Sequence, residues 1–297
     1  MLEGSEDLYS LDEMQEAIDM LRVTRPDAQA LVIKLNHGFS GQGNAILEMT
    51  DVASPLASSR TVFCGEGESW PSFERKILLQ GGIVEELVRH AHSISPSAQV
   101  RVTPTGQVEV VSTHDQILGG PDAQVYLGCR FPADNAYRAA IARFGYRMAE
   151  VLAEAGVIGS FGMDFIGVPV DGGYTLYLGE INLRMGGTTH PLQMARAVTG
   201  GVYEPESGDL LVGGRPRCYV GSDNLKSDRY RRFSPGDVID LIDKNGLAFD
   251  KARGTGVTLH LLGAISGFGK LGALCIGESA QEADALLDEV VACLGSS

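Results

Sequence analysis

The sequence is short of positive charge: its 297 residues include 24 lysines and arginines against 38 aspartates and glutamates, a formal net charge of −14 at pH 7. Nucleic acids and anionic membrane surfaces repel such a chain, so neither is expected as a partner. No apolar run approaches bilayer length, and the acidic stretch Leu2 to Asp7 lacks the apolar core of a signal peptide. These absences predict a soluble, cytoplasmic protein.

Cysteine is scarce too. The five cysteines occur without a CxxC pair or a His/Cys cluster, so a zinc site is not expected. Buried free thiols in a reducing compartment are the simpler interpretation. Apolar residues make up 44% of the chain, which is enough for one sizeable core or two smaller ones.

A row of polar side chains follows an apolar strand predicted at Tyr174 to Leu178. Side chains alternate between the faces of a strand, so Glu180, Asn182 and Arg184 are predicted to project from one side. A carboxylate and an amide oxygen suit Mg²⁺, while the arginine fork suits phosphate or carboxylate. Asp164 would complete the metal set from a neighbouring strand. The solvated polar face of an edge strand is the alternative interpretation.

A glycine-rich loop, His37 to Asn44, joins strands predicted at Leu31 to Asn36 and Ala45 to Glu48. It follows neither the Walker pattern, since no Gly-Lys-Ser/Thr occurs, nor the Rossmann fingerprint, since two strands flank it. Backbone N–H groups of such a loop can wrap a polyphosphate, and Lys34 on the incoming strand would add a point charge. A loop without a ligand is the alternative.

Six blocks occur in a characteristic order. They are Lys34 to Asn36 with the SGQGN loop, Gly82 to Glu86, Ser95 to Ser97, Ser112 to Gln116, Gly128 to Pro132, and Glu180 to Arg184. Over roughly residues 10 to 200 the sequence resembles the ATP-grasp superfamily, and more closely its pheganomycin-type peptide ligases. The resemblance implies an α+β ATP-grasp fold in which two α+β lobes sandwich ATP, followed by a small α+β C-terminal extension.

The resemblance also implies three domains. Residues 1–90 would form the small lobe with the glycine-rich lid, and residues 91–200 the large lobe with the metal site. Residues 201–297 would form the extension, packed on the large lobe. ATP-grasp folds normally begin with a further N-terminal domain, which we expect to be lacking here because the Lys34 strand comes after only about thirty residues. We therefore expect a homodimer, or a partner that supplies the missing domain.

Roles for individual residues come from the same resemblance. The residues implied in binding ATP are Lys34, Gly38, Ser40, Gly41, Gly43, Asn44, Glu85, Glu86 and Val88, the last three as a hinge whose backbone groups read the adenine. Asp164, Glu180 and Asn182 would hold one or two Mg²⁺ ions. Arg184 would stabilise charge on the transferred phosphoryl group, and Arg130 would contact the substrate carboxylate or the γ-phosphate. His190 would accept the amine proton, with a purely structural role as the alternative.

The implied activity is that of an ATP- and Mg²⁺-dependent ligase. It would form an amide or peptide bond between a small-molecule acid and an amine, of an amino acid or peptide, through an acyl phosphate. Two alternatives stay open: an ATP-binding module without independent turnover, as a fragment or with a partner, and another carboxylate-activating ATP-grasp enzyme such as a carboxylase. Two departures weaken the match, since no acidic residue for the ribose follows the hinge and Gly162 stands where related ligases carry arginine.

Further expectations concern local structure. Adjacent residues on a strand point to opposite faces, so His114 and Asp115 are not expected to pair, and His114 is expected to line the cleft. The glycine-rich residues 200–216 are expected to form a joint. Helices are predicted at 11–21 with Ser10 as N-cap, 135–155, 191–198 and 281–294 with Ser279 as cap, and a hairpin at 100–111.

Overall fold

The structure is a computed structural model that describes residues 2–38 and 41–296, and the chain forms two compact units. Unit 1 contains the described residues up to Ser93 together with Leu118–Tyr126 and Tyr177–Gly179. Unit 2 contains Ile94–Ile117, Leu127–Leu176 and the described residues from Glu180 onward. No helix in the described ranges is long and apolar enough to cross a membrane.

Unit 1 is built on a five-stranded sheet with the order β1-β5-β2-β3-β4, in which every neighbouring pair is antiparallel. Its elements are β1 (Gly4–Leu8), α1 (Leu11–Thr24), β2 (Ala30–Leu35), β3 (Asn44–Glu48), β4 (Thr61–Phe63), α2 (Trp70–Gln80) and β5 (Gly82–Glu86). Ser10 caps α1 as predicted, since its Oγ accepts a hydrogen bond from the Glu13 N–H at 3.2 Å.

Alternation along β2 gives this sheet two different faces. Leu31, Ile33 and Leu35 belong to the core that α1 and α2 cover, where Ile18 and Ile77 are fully buried. The intervening side chains project from the opposite face. On that face lies a smaller apolar cluster, made of Ala30, Val32, Ile46, Cys64 and Leu87. Lys34 is therefore displayed on the face that the helices leave open.

Trp70 is the only tryptophan of the chain and begins α2. Its ring meets Phe63 edge-on at a centroid distance of 5.4 Å, and its Nε1–H donates to the Ser59 carbonyl at 3.4 Å. Phe73 completes this aromatic group within the unit 1 core. The segment that begins at Trp70 is thus helix α2, followed directly by strand β5.

Unit 2 is built on a ten-stranded sheet whose main order is β10-β9-β6-β7-β8-β13-β12-β11, with β15 beside β13 and β14 beside β15. Its strands are β6 (Pro96–Val102), β7 (Val108–Gly119), β8 (Val125–Phe131), β9 (Gly159–Val170), β10 (Gly173–Asn182), β11 (Val202–Glu204), β12 (Asp209–Val212), β13 (Arg215–Lys226), β14 (Gly256–His260) and β15 (Lys270–Gly277). Its helices are α3 (Arg138–Glu154), α4 (Thr189–Thr199), α5 (Pro235–Lys244), α6 (Ile265–Phe268) and α7 (Ala280–Ser296).

Helices α3 and α7 both pack on the unit 2 sheet. Gly145 of α3 lies close to Ala98 and Val100 on β6, and α7 places Val290 and Leu294 in a core with β15. Ser279 caps α7 as predicted, because its Oγ accepts from the Glu282 N–H at 3.1 Å. The predicted hairpin at 100–111 is present as the antiparallel pair β6 and β7.

The prediction of a joint at 200–216 is wrong. This stretch contains β11 and β12 and enters β13, which pair in antiparallel succession and extend the unit 2 sheet. The glycines serve the turns: Gly213 and Gly214, with φ values of 57° and 77°, connect β12 to β13. Two consecutive positive-φ residues are typical of a tight hairpin turn, so the glycines signal strand pairing here.

Candidate functional site

Three oxygen-bearing side chains converge at the end of β10 and on β9 of unit 2. The Asn182 Nδ2 donates to Asp164 Oδ2 at 2.9 Å and to Glu180 Oε2 at 3.2 Å, so one amide bridges both carboxylates. Glu180 and Asn182 thus share a face of β10, as alternation predicts. Turning this amide over would present its oxygen beside the carboxylates.

These residues fit a hard divalent cation. Across residues 2–38 and 41–296 no group of three or more His, Cys, Asp or Glu side chains is placed to hold a metal ion. A cation here would therefore rely on the carboxylates of Asp164 and Glu180 and on the amide oxygen of Asn182. Oxygen ligands in this number suit Mg²⁺, which keeps several waters or phosphate oxygens in its shell.

Asp164 occupies the most perturbed position of this group. Burial, together with the charge of Glu180, raises the pKa of its carboxyl to about 6. Hydrogen bonds from Ser97 and Gln116 and the charge of Arg184 act in the opposite direction. A bound cation would favour the ionised form, which is the form that ligates metals.

Arg184 and His190 lie on the segment that follows β10. The strand ends at Asn182, and the Arg184 N–H donates to the Asn182 carbonyl at 2.7 Å, so Arg184 does not continue the predicted row. Its guanidinium is exposed and donates to the Met185 carbonyl at 3.4 Å. His190 is exposed in the first turn of α4, with its ring centroid 4.6 Å from that of His260. Both side chains remain accessible to a substrate.

The glycine-rich loop of unit 1 closes on itself at two glycines. A Cβ built on Gly43 would lie 2.8 Å from the Gly38 Cα, so the two legs of the loop cross where only glycine fits. Gly41 has a φ of 74°, and a Cβ there would lie 1.7 Å from the Gln124 carbonyl oxygen. Asn44 Nδ2 donates to Gln124 Oε1 at 3.1 Å. Ser40, predicted as a phosphate donor, lies outside the described residues.

Lys34 stands beside this loop, with Asn44 directly opposite it on β3. Its ammonium forms an ion pair with Glu85 and donates to the Gly179 carbonyl at 3.4 Å. A phosphate approaching Lys34 would have to compete with the Glu85 carboxylate for the same charge.

The predicted hinge residues Glu85, Glu86 and Val88 lie at the end of strand β5 and just beyond it. The Glu86 N–H donates to the Glu3 carbonyl at 3.1 Å, and its side chain pairs with Arg25. Val88 lies two residues beyond the end of β5. Glu85 and Glu86 are thus ladder residues of β5, and of the three only Val88 is outside a strand.

The structure does not bring Arg130 to the metal-ligand candidates. Asp164 lies opposite Ser97, and Ser97 lies opposite His114, so these three side chains share one face of the unit 2 sheet. The His114 ring contacts Phe131 at 5.5 Å, which places Phe131 on that face and its neighbour Arg130 on the other. There the Arg130 Nε donates to Asp284 of α7 at 2.8 Å.

The expectation that His114 lines a cleft is wrong. His114 is fully buried, its Nε2 is 2.8 Å from the Tyr219 hydroxyl, and Phe131 stacks on Tyr219 at 4.8 Å. Burial lowers the pKa of His114 to about 3. His114 is therefore a neutral core residue. As predicted, Asp115 does not pair with it but accepts from the Tyr137 hydroxyl at 2.8 Å.

The sequence analysis assigned no role to Ser97 and Gln99. Ser97 contacts Asp164 directly, and Gln99 contacts Ser97. Ser97 Oγ donates to Asp164 Oδ1 at 2.7 Å, and Gln99 Nε2 donates to Ser97 Oγ at 3.0 Å. A signal was available, since polar residues at alternate positions of an otherwise apolar strand mark one face. Without the register to β9, that signal does not say which carboxylate they meet.

Almost the whole chain is similar to a curated ligase. The chain is 32% identical over 284 residues to an L-propargylglycine–L-glutamate ligase of Streptantibioticus cattleyicolor, and the match covers 94% of this chain and 57% of the relative. The chain therefore spans little more than half the length of that enzyme.

Solved structures share the fold. A biotin carboxylase of Campylobacter jejuni superposes with a TM-score of 0.61 at 13% identity, covering 98% of this chain and 62% of the carboxylase. A carboxyaminoimidazole ribonucleotide synthase of Aspergillus clavatus, solved with ATP, superposes with a TM-score of 0.57 at 14% identity, covering 100% of this chain and 69% of the synthase. Identities this low show the architecture alone.

Two family descriptions match the sequence itself. The PGM1 C-terminal domain matches residues 237–290, in the part of unit 2 that contains α5, β14, β15 and α7. The IQCH-like ATP-grasp family matches residues 50–204, just over half of the chain, including the strands with Asp164, Glu180 and Asn182. The chain belongs to the ATP-grasp family.

Proposed function

We propose that this protein is an ATP- and Mg²⁺-dependent ligase that joins the carboxylate of one amino acid or peptide to the amine of another. The observation that carries the proposal is the convergence of Asp164, Glu180 and Asn182 in an ATP-grasp chain. The curated relative, an amino acid–amino acid ligase by its name, supports the substrate class.

A carboxylate is a poor electrophile, so the acid must first be activated. Its oxygen attacks the γ-phosphorus of ATP, the bond to the β-phosphate oxygen breaks, and an acyl phosphate and ADP form. Such a transfer depends chiefly on positioning and on neutralising charge. In unit 1, Lys34 and the glycine-rich loop are assigned to the phosphates. In unit 2, Asp164, Glu180 and Asn182 are assigned to Mg²⁺, which would neutralise charge on the β- and γ-phosphates.

The amine then attacks the acyl carbonyl, inorganic phosphate leaves, and the attacking nitrogen loses a proton. Arg184 is assigned to the charge on the transferred phosphoryl group, because its guanidinium is exposed and its charge reaches Asp164. His190 is assigned to the proton of the amine, because it is exposed in the first turn of α4, shortly after Arg184. No nucleophilic side chain is needed for this sequence of steps.

The test is a screen for ADP release with Mg²⁺, ATP and pairs of L-amino acids, followed by mass spectrometry of the products. The proposal expects release that requires both an acid and an amine and yields their amide. Release with bicarbonate in place of the acid–amine pair would indicate a carboxylase. Binding of ATP without release under any pairing would indicate an ATP-binding module.

Glu180→Gln tests the assignment of Asp164, Glu180 and Asn182 to Mg²⁺. It removes one carboxylate charge from an exposed side chain, so ADP release is expected to fall by at least about 100-fold with little change in melting temperature. Glu109→Gln, on an exposed residue of the β6–β7 hairpin, is the matched control and should retain wild-type release. Equal losses of activity and stability in Glu180→Gln would instead mean a structural role.

A further inference from the structure

Two consecutive hydrogen bonds, whose donors Gln99 and Ser97 are buried, end at Asp164. On β6, Ser97 is opposite Asp164 and Gln99 is opposite Gly162, so all four positions share one face of the sheet. Gln99 Nε2 donates to Ser97 Oγ at 3.0 Å, and Ser97 Oγ donates to Asp164 Oδ1 at 2.7 Å. Ser97 and Gln99 are 0% and 6% exposed, so solvent has little access to either side chain.

The two hydrogen bonds run in one direction, from Gln99 through Ser97 to Asp164. A serine hydroxyl carries a single proton and two acceptor lone pairs. Because the Gln99 amide donates to the Ser97 oxygen, the hydroxyl proton is directed at Asp164. The Asp164 carboxylate is thus held at Oδ1 by Ser97, while Oδ2 faces Asn182 at 2.9 Å, on the side of the metal-ligand candidates.

Gly162 provides the space for this arrangement. A Cβ at Gly162 would lie 2.6 Å from Gln99 Nε2 and 3.1 Å from Gln99 Oε1, so the Gln99 amide rests directly over the glycine. The backbone of Gly162 does not have a positive φ that would itself demand glycine. The requirement at this position is therefore steric, and it comes from Gln99.

We propose that Gln99 and Ser97, in the space left by Gly162, form a relay that positions the Asp164 carboxylate for a divalent cation. This inference rests on the proposed function, which assigns the cation to Asp164, Glu180 and Asn182. Gln99 and Ser97 are positioning residues because they act through Asp164. Hydrogen-bond partners of metal ligands typically change metal affinity by about 10- to 100-fold when they are removed.

Gln99→Glu tests the direction of the relay with almost no change in size. A carboxylate at this position accepts from Ser97, so the single hydroxyl proton is drawn away from Asp164. The measurement is the affinity of the full chain for Mn²⁺ in the presence of ADP, followed by the electron paramagnetic resonance of the free ion, with an ADP-only titration subtracted. The relay predicts about 10-fold weaker binding. Added negative charge alone would instead strengthen cation binding.

Companion variants separate positioning from folding. Ser97→Ala removes the donor and should weaken Mn²⁺ binding, while Ser97→Thr keeps the hydroxyl and should restore it. Gln107→Glu, on an exposed residue in the turn of the same hairpin, adds the same charge without touching the relay and should match the wild type. Calorimetric melting of each variant verifies that it is folded.

The outcomes distinguish the inference from the proposed function. If the wild type binds Mn²⁺ and Gln99→Glu or Ser97→Ala binds it equally well, the relay is overturned and the metal assignment stands. If the wild type takes up no Mn²⁺ beyond the ADP-only titration, both are overturned. Weaker binding in Gln99→Glu and Ser97→Ala, with recovery in Ser97→Thr, supports the relay.

Discussion

At the scale of single residues, Lys34, which we propose binds phosphate, already pairs with an anion of its own protein. Its ammonium pairs with Glu85, and both side chains are largely buried. Phosphate binding at this position therefore requires the ammonium to exchange one anion for another. Under the proposed function, Glu85 therefore competes with the nucleotide for the Lys34 ammonium.

Lys34→Ala is expected to weaken ATP binding by about 10-fold or more, since hydrogen bonds to charged groups contribute roughly 1.5–3 kcal/mol. Isothermal titration calorimetry measures the change. Lys34→Ala alone would leave the Glu85 carboxylate unpaired, and this charge would repel ATP. The double variant Lys34→Ala/Glu85→Gln removes that repulsion, so its remaining loss of ATP affinity comes from the missing ammonium. Lys76→Ala, on an exposed helix lysine paired with Glu68, is the control. Unchanged affinity in both Lys34 variants would exclude the phosphate assignment.

His114 predicts a loss of stability in mild acid. The pKa of its imidazole is about 3 in the folded protein and has the ordinary value of 6.5 in the unfolded chain. Between these values the unfolded chain binds a proton that the folded protein does not, so the free energy of unfolding falls as pH decreases below about 6.5. From about pH 7.5 to about pH 5 the loss amounts to about 2 kcal/mol.

Denaturant unfolding of wild type and His114→Gln at a series of pH values measures this effect. The variant cannot titrate at this position, so its stability should depend less on pH over the acid range. His92→Gln, on an exposed histidine, should keep the wild-type slope. Identical slopes for wild type and His114→Gln would contradict the assignment of His114 as a neutral core residue.

Residue patterns in the sequence predicted the features that depend on local geometry, such as which side chains share one face of a strand. Strand alternation placed Glu180 and Asn182 on one face, and the Asn182 bridge between the carboxylates confirms it. Alternation failed for Arg184 because the strand ends at Asn182. It could not show that His114 is buried, because burial depends on Tyr219 and Phe131, which come from strands distant in the sequence.

At the scale of elements, the β2–β3 connection depends on glycine at defined positions. Gly41 combines a positive φ with a close approach to the Gln124 backbone, which belongs to the 118–126 segment of the same unit. The shape of the loop is thus set partly by residues about eighty positions away in the sequence.

Gly41→Ala is therefore expected to raise the KM for ATP, because the added methyl group collides with the Gln124 carbonyl at 1.7 Å and forces the loop to move. Gly67→Ala is a matched control: its φ is 72°, close to the 74° of Gly41, but a Cβ there meets nothing within 4 Å. Both variants share the cost of a positive φ, about 1–2 kcal/mol. Equal KM values in the two variants would mean that the loop shape does not matter for ATP.

Helices and hairpins were predicted more reliably than connections. Caps at Ser10 and Ser279 lie a few residues from the groups they bond, so local sequence was sufficient. The glycines of 200–216 suggested a joint, whereas Gly213 and Gly214 turn one strand into the next. The flanking apolar residues at 210–212 contained the strand signal.

At the scale of the whole molecule, the proposed function predicts that nucleotide stabilises the chain. ATP with Mg²⁺ at a hundredfold excess over its dissociation constant should add about 2.7 kcal/mol to the free energy of unfolding. Scanning calorimetry with ATP and Mg²⁺, ATP and EDTA, and GTP and Mg²⁺ measures the shift and its specificity. A melting temperature that none of these ligands changes would contradict nucleotide binding by this chain.

The division of the molecule was the hardest feature to predict. The expected boundaries at 90/91 and 200/201 remain a prediction, and no change in composition marks 118–126 or 177–179 as segments of unit 1. Their placement comes from contacts such as Gln124 with Asn44 and Gly179 with Lys34. Tertiary contacts of this kind have no local signature, whereas the ATP-grasp architecture was predicted through the ordered motif blocks.

Trp70 allows the unfolding of unit 1 to be followed separately from that of unit 2 by fluorescence. As the only tryptophan of the chain, and held within the aromatic group of unit 1, it confines indole emission to that unit. Selectively excited indole fluorescence of the unmodified protein therefore follows the melting of unit 1 alone, while far-ultraviolet ellipticity follows the backbone of both. Divergence of the two curves would reveal sequential melting, and adding a nucleotide would then show which transition it delays.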